Sequence, residues 1–228
     1  MATETTRRGV FISFEGPEGS GKSTQAARLV DAMQQAGIET LLTREPGGTR
    51  TGELIRRILQ HDHAGEPLQA RAETLLFAAA RAQLVGGVIA PALGRGVCVV
   101  SDRYADSTTV YQGVARGFGV EQMLNINAFA VDGVWPDLTV ILDVETSESF
   151  ERLSERYRAN GEGHDRFEQE SRDFHERVRR GYLDLARRNA KRCRVLDSAG
   201  PLEEVSREVK SLASEALRGA GFEHGELK

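Results

Sequence analysis

The sequence predicts an α/β fold: a doubly wound parallel sheet of about five strands flanked by helices, with a helical lid, all in one domain spanning 1–228. Three observations carry this. Short apolar runs alternate with helical patterns along nearly the whole chain. The runs at 97–101 and 138–144 are continuously apolar, as strands covered on both faces are. A glycine-rich loop stands between the first apolar run and the first helical pattern. Ligands of such a sheet gather at the carboxyl ends of its strands.

Taken in order, residues 10–15 read as the first strand and 24–35 as a helix stopped by Gly37. Residues 39–43 make a short second strand, and 52–60 a helix. Residues 70–93 form a long helical stretch, too apolar for a surface helix and so expected to be central. Gly94 and Gly96 end it. The third strand is 97–101 and the fourth 138–144. Helical patterns follow at 147–157 and 168–189. A last strand is read at 194–196 and a last helix at 202–217. The ends, 1–8 and 219–228, are expected to fray.

Composition narrows the classes. The chain has 228 residues, enough for one α/β domain with a sizeable core. A net charge of −4 argues against a nucleic-acid surface. Cys98 and Cys193 are far apart and sit in or beside apolar runs, so they read as buried thiols rather than a disulfide. Residues 1–9 are polar, with no signal-peptide core. No apolar run is read as long enough for a membrane span. A cytoplasmic protein without membrane or nucleic-acid partners is expected.

The most specific local signal is Gly16-Pro17-Glu18-Gly19-Ser20-Gly21-Lys22-Ser23, followed by Thr24. It fits G-x-x-x-x-G-K-[ST] in the strand–loop–helix context that the motif requires. Glycines let successive N–H groups point inward, and the helix start adds its positive end beneath bound phosphates. Lys22 would reach the β- and γ-phosphates, and Ser23 would ligate Mg²⁺. The bland reading is a glycine-rich turn without ligand. The motif in this context implies a bound nucleoside triphosphate.

Other segments fall at the same end of the sheet. Residues 44–49, Arg-Glu-Pro-Gly-Gly-Thr, follow strand two and are either a plain turn or a ligand contact. Asp102 and Arg103 follow strand three. Asp102 would hold Mg²⁺ as a Walker-B carboxylate does, and Arg103 would grip a phosphate; the alternative is a helix-capping pair. Phe77 and Arg81 lie four apart on one helical face, as core residues or as a base-stacking ring with a carbonyl donor. Arg152, Arg156, Arg158 and Arg166 stud a connection containing Gly161 and Gly163, about 152–168. It is a closing lid or a solvated, charge-laced helix pair. Asp197 to Pro201 frames an adenine or only turns. His61 and His63 read as a surface loop.

Together these segments resemble thymidylate kinase of the bacterial kind. The resemblance runs from about Val10 to Leu217. It rests on the loop with Glu18, on Thr43 to Thr49, on Asp102-Arg103-Tyr104 and on Ser107 to Gly113. Pro136 to Thr139 and Asp165 to Glu168 add to it. The resemblance implies ATP-dependent phosphorylation of dTMP to dTDP by a homodimer. It implies that Phe77 stacks on thymine and Arg81 bonds its O4. Arg103 would hold the acceptor phosphate, Tyr111 would crowd the sugar 2′ position, and Ser107, Thr108 and Gln112 would border the acceptor. Glu18, Glu45 and Pro46 would lie beside it, the Glu45–Pro46 bond where the family often has a cis peptide. Lys22, Arg103, Arg158 and Arg166 are expected to be catalytic. The lid stretch is longer than in the family, so its arginines do not align one by one. The rivals are a kinase for another monophosphate or a nucleoside, and a regulatory switch, which the missing N-K-x-D signature weakens.

Overall fold

The computed structural model describes residues 7–60, 65–160, 166–223 and 227. Five strands, β1 (Phe11–Glu15), β2 (Thr40–Arg44), β3 (Cys98–Asp102), β4 (Leu138–Asp143) and β5 (Cys193–Asp197), form one sheet in the order β2-β3-β1-β4-β5. Every pairing is parallel, and the register sets Phe14 opposite both Asp102 and Val140. Both faces are apolar, as continuous hydrophobic strands require. Ile12, Phe14, Val100, Val140 and Leu142 pack on α1 (Lys22–Gln35) and α9 (Leu202–Gly219). Phe11 and Val99 turn the other way, toward Leu84, Ile89 and Leu93. Ile141 meets α8 (Arg172–Arg188) through Val178 and Tyr182. Burying each large side chain stabilises the fold by roughly 1.5–3 kcal/mol.

Between these elements lie α2 (Arg50–Gln60) and α3 (Ala70–Leu84), then a π-helical segment, Val85–Ile89, and α4 (Ala90–Gly94). They are followed by α5 (Ala105–Thr108), a second π-helical segment, Thr109–Ala115, α6 (Val120–Val131) and α7 (Thr146–Asn160).

The strands fall within one or two residues of expectation. Four differences matter. The continuous helix Ala70–Gly94 has 25 residues and a window of mean hydropathy 1.5, so by length and composition it is apolar enough to cross a membrane, contrary to the sequence reading. Its second half is central, with Leu84, Val85, Ile89, Ala92 and Leu93 in the core against Phe11 and Val99, while Leu75 near its start is 60% exposed. The helical pattern read from 168 starts later, because Ser171 caps α8 by accepting from the Phe174 amide at 3.2 Å. Helices α5 and α6 had no counterpart in the sequence reading. Finally, the expected frayed ends carry packing. Phe222 and Leu227 join the core under α9, Arg7 stacks on Phe222, and Arg8 pairs with Asp137 at 3.0 Å.

Candidate active site

The phosphate-binding loop leaves β1 and enters α1. At Gly16, φ is +138° and a Cβ would sit 2.3 Å from the Leu142 carbonyl oxygen. At Gly19, φ is +69° and a Cβ would sit 2.8 Å from that of Ser149. Strain and close approach both demand glycine there. Lys22 is buried, and its Nζ donates to the Pro17 carbonyl at 2.6 Å and to Ser20 Oγ at 3.2 Å. The lysine thus closes the loop on itself. Burial, followed by the repulsion of Arg103, lowers its pKa to about 8. Ser23 Oγ donates to Asp102 Oδ2 at 2.5 Å. The β1–β3 register brings these two oxygens to one mouth. They are hard donors of the kind Mg²⁺ takes alongside phosphates. Among the described residues no cluster of three His, Cys, Asp or Glu offers another metal site.

Arg103 follows with φ +70°, a left-handed conformation that costs about 1–3 kcal/mol in a non-glycine residue. Its guanidinium donates to Glu18 Oε1 at 2.6 Å and, less closely, to the Gly16 carbonyl, Ser107 Oγ and Tyr182 Oη. Tyr111 Oη donates to the same Glu18 oxygen at 3.0 Å. Burial would raise the Glu18 pKa, but Arg103, then Lys22 and Tyr111, hold it at about 2. Beneath them Glu15 accepts from the Tyr104 amide, Ser107 Oγ and Tyr182 Oη at 2.6–2.8 Å. Burial, with Asp106 nearby, raises its pKa to about 7. Sequence reasoning missed Glu15 and Tyr182. Tyr182 reaches the site from 79 residues away, and no local pattern announces that.

A cleft of about 1270 Å³ opens from the loop between α2, α3 and α7. Glu45, Pro46, Phe77, Thr108, Tyr111 and Gln112 line it, as expected, together with Glu18, Arg103 and Ser107. The Glu45–Pro46 peptide is cis. Phe77 meets the ring of Phe167 at 5.7 Å. Arg81 is placed differently from expectation: it is 1% exposed and lies beneath the wall. Its Nε and Nη2 donate to Glu45 Oε2 at 2.8 and 2.6 Å. Its Nη1 serves Thr108 and Asn127, and Nη2 also reaches the Tyr104 carbonyl at 3.3 Å. All five N–H groups are engaged. A ring carbonyl must take over one of these bonds to reach it.

The lid arginines separate. Arg152 and Arg156 line the cleft. Arg152 donates to Glu148 and the Ser198 carbonyl, and Arg156 to Glu168, to which Tyr157 Oη also donates. Arg158 is exposed near the end of α7. Arg166 turns to α3, where Glu73 Oε2 accepts from it at 2.6 Å, and it also donates to the Leu59 and Leu68 carbonyls. Neither Arg158 nor Arg166 lines the cleft: one is exposed to solvent, and the other is turned to Glu73 on α3. The expected hinges Gly161 and Gly163, like His61 and His63, lie outside the described residues. At Asp197 to Pro201, Ser198 donates to the Asp143 carbonyl and accepts from Arg152, and the Ala199 amide donates to Asp197 Oδ1, a turn tied to β4 and α7.

A parallel sheet of this order, a phosphate loop with its lysine and serine, and a second anion-binding group across the same cleft define the P-loop nucleotide kinases. The sequence comparisons narrow the class. The family model for thymidylate kinase matches residues 14–209. The thymidylate kinase of Oleidesulfovibrio alaskensis is 47% identical over 210 residues, covering 91% of this chain and 99% of its own. That of Symbiobacterium thermophilum is 44% identical over 216 residues, covering 93% and 98%. The crystal structure of thymidylate kinase from Ehrlichia chaffeensis matches with a TM-score of 0.71 at 32% identity, covering 90% of this chain and 99% of that one. The chain belongs to the thymidylate kinase family.

Proposed function

We propose that this chain transfers the γ-phosphoryl group of ATP to dTMP, giving ADP and dTDP. The observation that carries the reading is one cleft with two anion sites: the Lys22 loop on one side and the Arg103–Glu18–Tyr111 group on the other. The loop from Gly16 to Thr24 holds the donor phosphates. Arg103 exchanges part of its bond to Glu18 for the acceptor phosphate, offsetting repulsion between two anionic reactants. That phosphate is already ionised, so no general base is needed, and positioning with charge neutralisation suffices. Ser23 and Asp102 would hold Mg²⁺, which supplies charge neutralisation at the β- and γ-phosphates when bound. Arg152 and Arg156 are the cations nearest the transferring group on the α7 side.

The acceptor ring lies against Phe77. Gln112 donates its amide to Glu73 and keeps its carbonyl for a ring N–H, and Arg81 gives up its long Tyr104 bond to meet O4. Tyr111 disfavours a 2′-hydroxyl. A nucleoside kinase would need a carboxylate base, and Glu18, with a pKa of about 2, is a poor one.

We further place the enzyme in the cytoplasm as a homodimer. Leu75, 60% exposed, joins exposed Leu54 and Ile58 on α2 and Leu124 and Phe129 on α6 in an uncovered apolar face. Of the helices that carry it, α3 packs on both α2 and α6. Such a patch marks an interface. The test of the reaction is product analysis with ATP and, separately, dTMP, dCMP, dGMP and thymidine. dTDP should form fastest; a faster product from thymidine or dGMP would overturn the reading.

A further inference from the structure

We infer that Glu73 determines which end of the Gln112 amide meets the acceptor ring, and is therefore a positioning residue that sets ring specificity. The inference rests on the dTMP reading above. Glu73 sits on α3, one turn before Phe77, and is 1% exposed. Its Oε1 accepts from Gln112 Nε2 at 2.8 Å and from Arg116 Nε at 3.2 Å. Its Oε2 accepts from Arg116 Nη2 at 3.2 Å and Arg166 Nη2 at 2.6 Å. Arg116 completes the group through Glu170 at 2.6 Å.

A carboxylate gripped by two guanidinium groups accepts only. It therefore requires the NH₂ end of the Gln112 amide to face it. The Gln112 carbonyl is left for the cleft that the residue lines, and among the described residues no side chain or backbone group donates to it. Thymine presents N3–H, a donor, to such an oxygen. Cytosine presents the N3 lone pair, which repels it. A site built to hydrogen-bond one ring leaves buried groups unpaired against the other. The same carboxylate holds Arg166, and so the turn that carries Phe167 against Phe77 and Tyr111. Stacking surface and ring hydrogen bond are thus referred to one buried group on α3.

The test is Glu73→Gln, with kcat/KM measured for both dTMP and dCMP. The introduced amide can donate to the Gln112 carbonyl, which lets that side chain turn over and present NH₂ to the cleft. The dTMP-over-dCMP ratio should fall by about tenfold or more. Glu73→Asp remains acceptor-only and should keep the ratio even at a lower rate. A folded Glu73→Gln enzyme that loses rate on both nucleotides equally overturns the inference, as does Glu73→Asp losing the ratio to the same extent. Should circular dichroism show that Glu73→Gln does not fold, Gln112→Leu carries the test. It should lose the ratio, and an unchanged ratio overturns the inference. Absence of dTDP from the wild-type enzyme overturns the proposed reaction itself. dTDP formed with the ratio intact in Glu73→Gln overturns this inference alone.

Discussion

Lys22 does two jobs that pull its ammonium in opposite directions. It is buried beside Arg103, and its pKa sits at about 8, below the usual lysine value. Glu18, Asp102 and Glu15 pull the other way without restoring it. Bound phosphates would add negative charge and raise it again. The sign follows: near pH 8 the free enzyme has lost part of this proton, and ATP binding takes it back. Calorimetry in buffers of different ionisation enthalpy should register uptake of about half a proton near pH 8 and little below pH 7. No buffer dependence at pH 8 would remove Lys22 from the phosphates. Lys22→Ala should abolish the uptake and lower kcat by about 10²–10³. It should also loosen the loop, since Lys22 is tied to Pro17 and Ser20.

At the scale of elements, α7 and the turn after it divide labour among their arginines. Arg156 lines the cleft and is held by Glu168, a partner on the turn. Arg166 anchors that same turn to α3. Arg158 is exposed. An alanine series should therefore separate them. Arg156→Ala is expected to lower kcat about a hundredfold with little change in the dTMP KM, on the proposed reading in which it leaves Glu168 for the transferring group. Arg166→Ala should chiefly raise the dTMP KM, through the displaced Phe167 wall. Arg158→Ala should do little. Loss of kcat confined to Arg158→Ala would invert this assignment. The π-helical segment Thr109–Ala115 belongs to the same scale. It carries Tyr111 and Gln112, and such wide turns recur where side chains must be re-aimed into a site.

For the whole molecule the proposed homodimer is tested at the exposed face. Phe129 is 90% exposed, and Leu75 on the helix Ala70–Gly94 is 60% exposed. Gly86 leaves open space on that helix, so a neighbouring backbone can approach closely. Phe129→Glu places a charge where burial is expected. It should weaken the dimer by about tenfold or more in sedimentation equilibrium, with kcat per folded chain retained. A wild-type chain that stays monomeric at every concentration would leave the face without this partner.

What the sequence determined alone is what neighbours along the chain enforce. Gly16 to Ser23 is legible because strand, loop and helix follow within one continuous stretch, and the backbone itself makes the phosphate nest. The five strands are legible because both faces of a parallel sheet are covered, so Val99, Val100, Val140 and Ile141 stand as unbroken apolar runs. Phe77 was readable as a cleft residue only through family resemblance, since an apolar helix also places phenylalanine in cores. Helix α6 escaped because Gly113, Gly117 and Gly119 before it look like an extended loop. The partners of the site residues were beyond reach. Arg81 and Glu45 are 36 residues apart, Arg166 and Glu73 are 93, and Tyr182 and Glu15 are 167. A buried charge requires a partner, but chain position does not say which one. Only the packed sheet, with its fixed register and crossovers, brings those groups within hydrogen-bonding distance, and so decides which arginines line the cleft, as Arg103, Arg152 and Arg156 do, and which are held outside its lining, as Arg81 and Arg166 are.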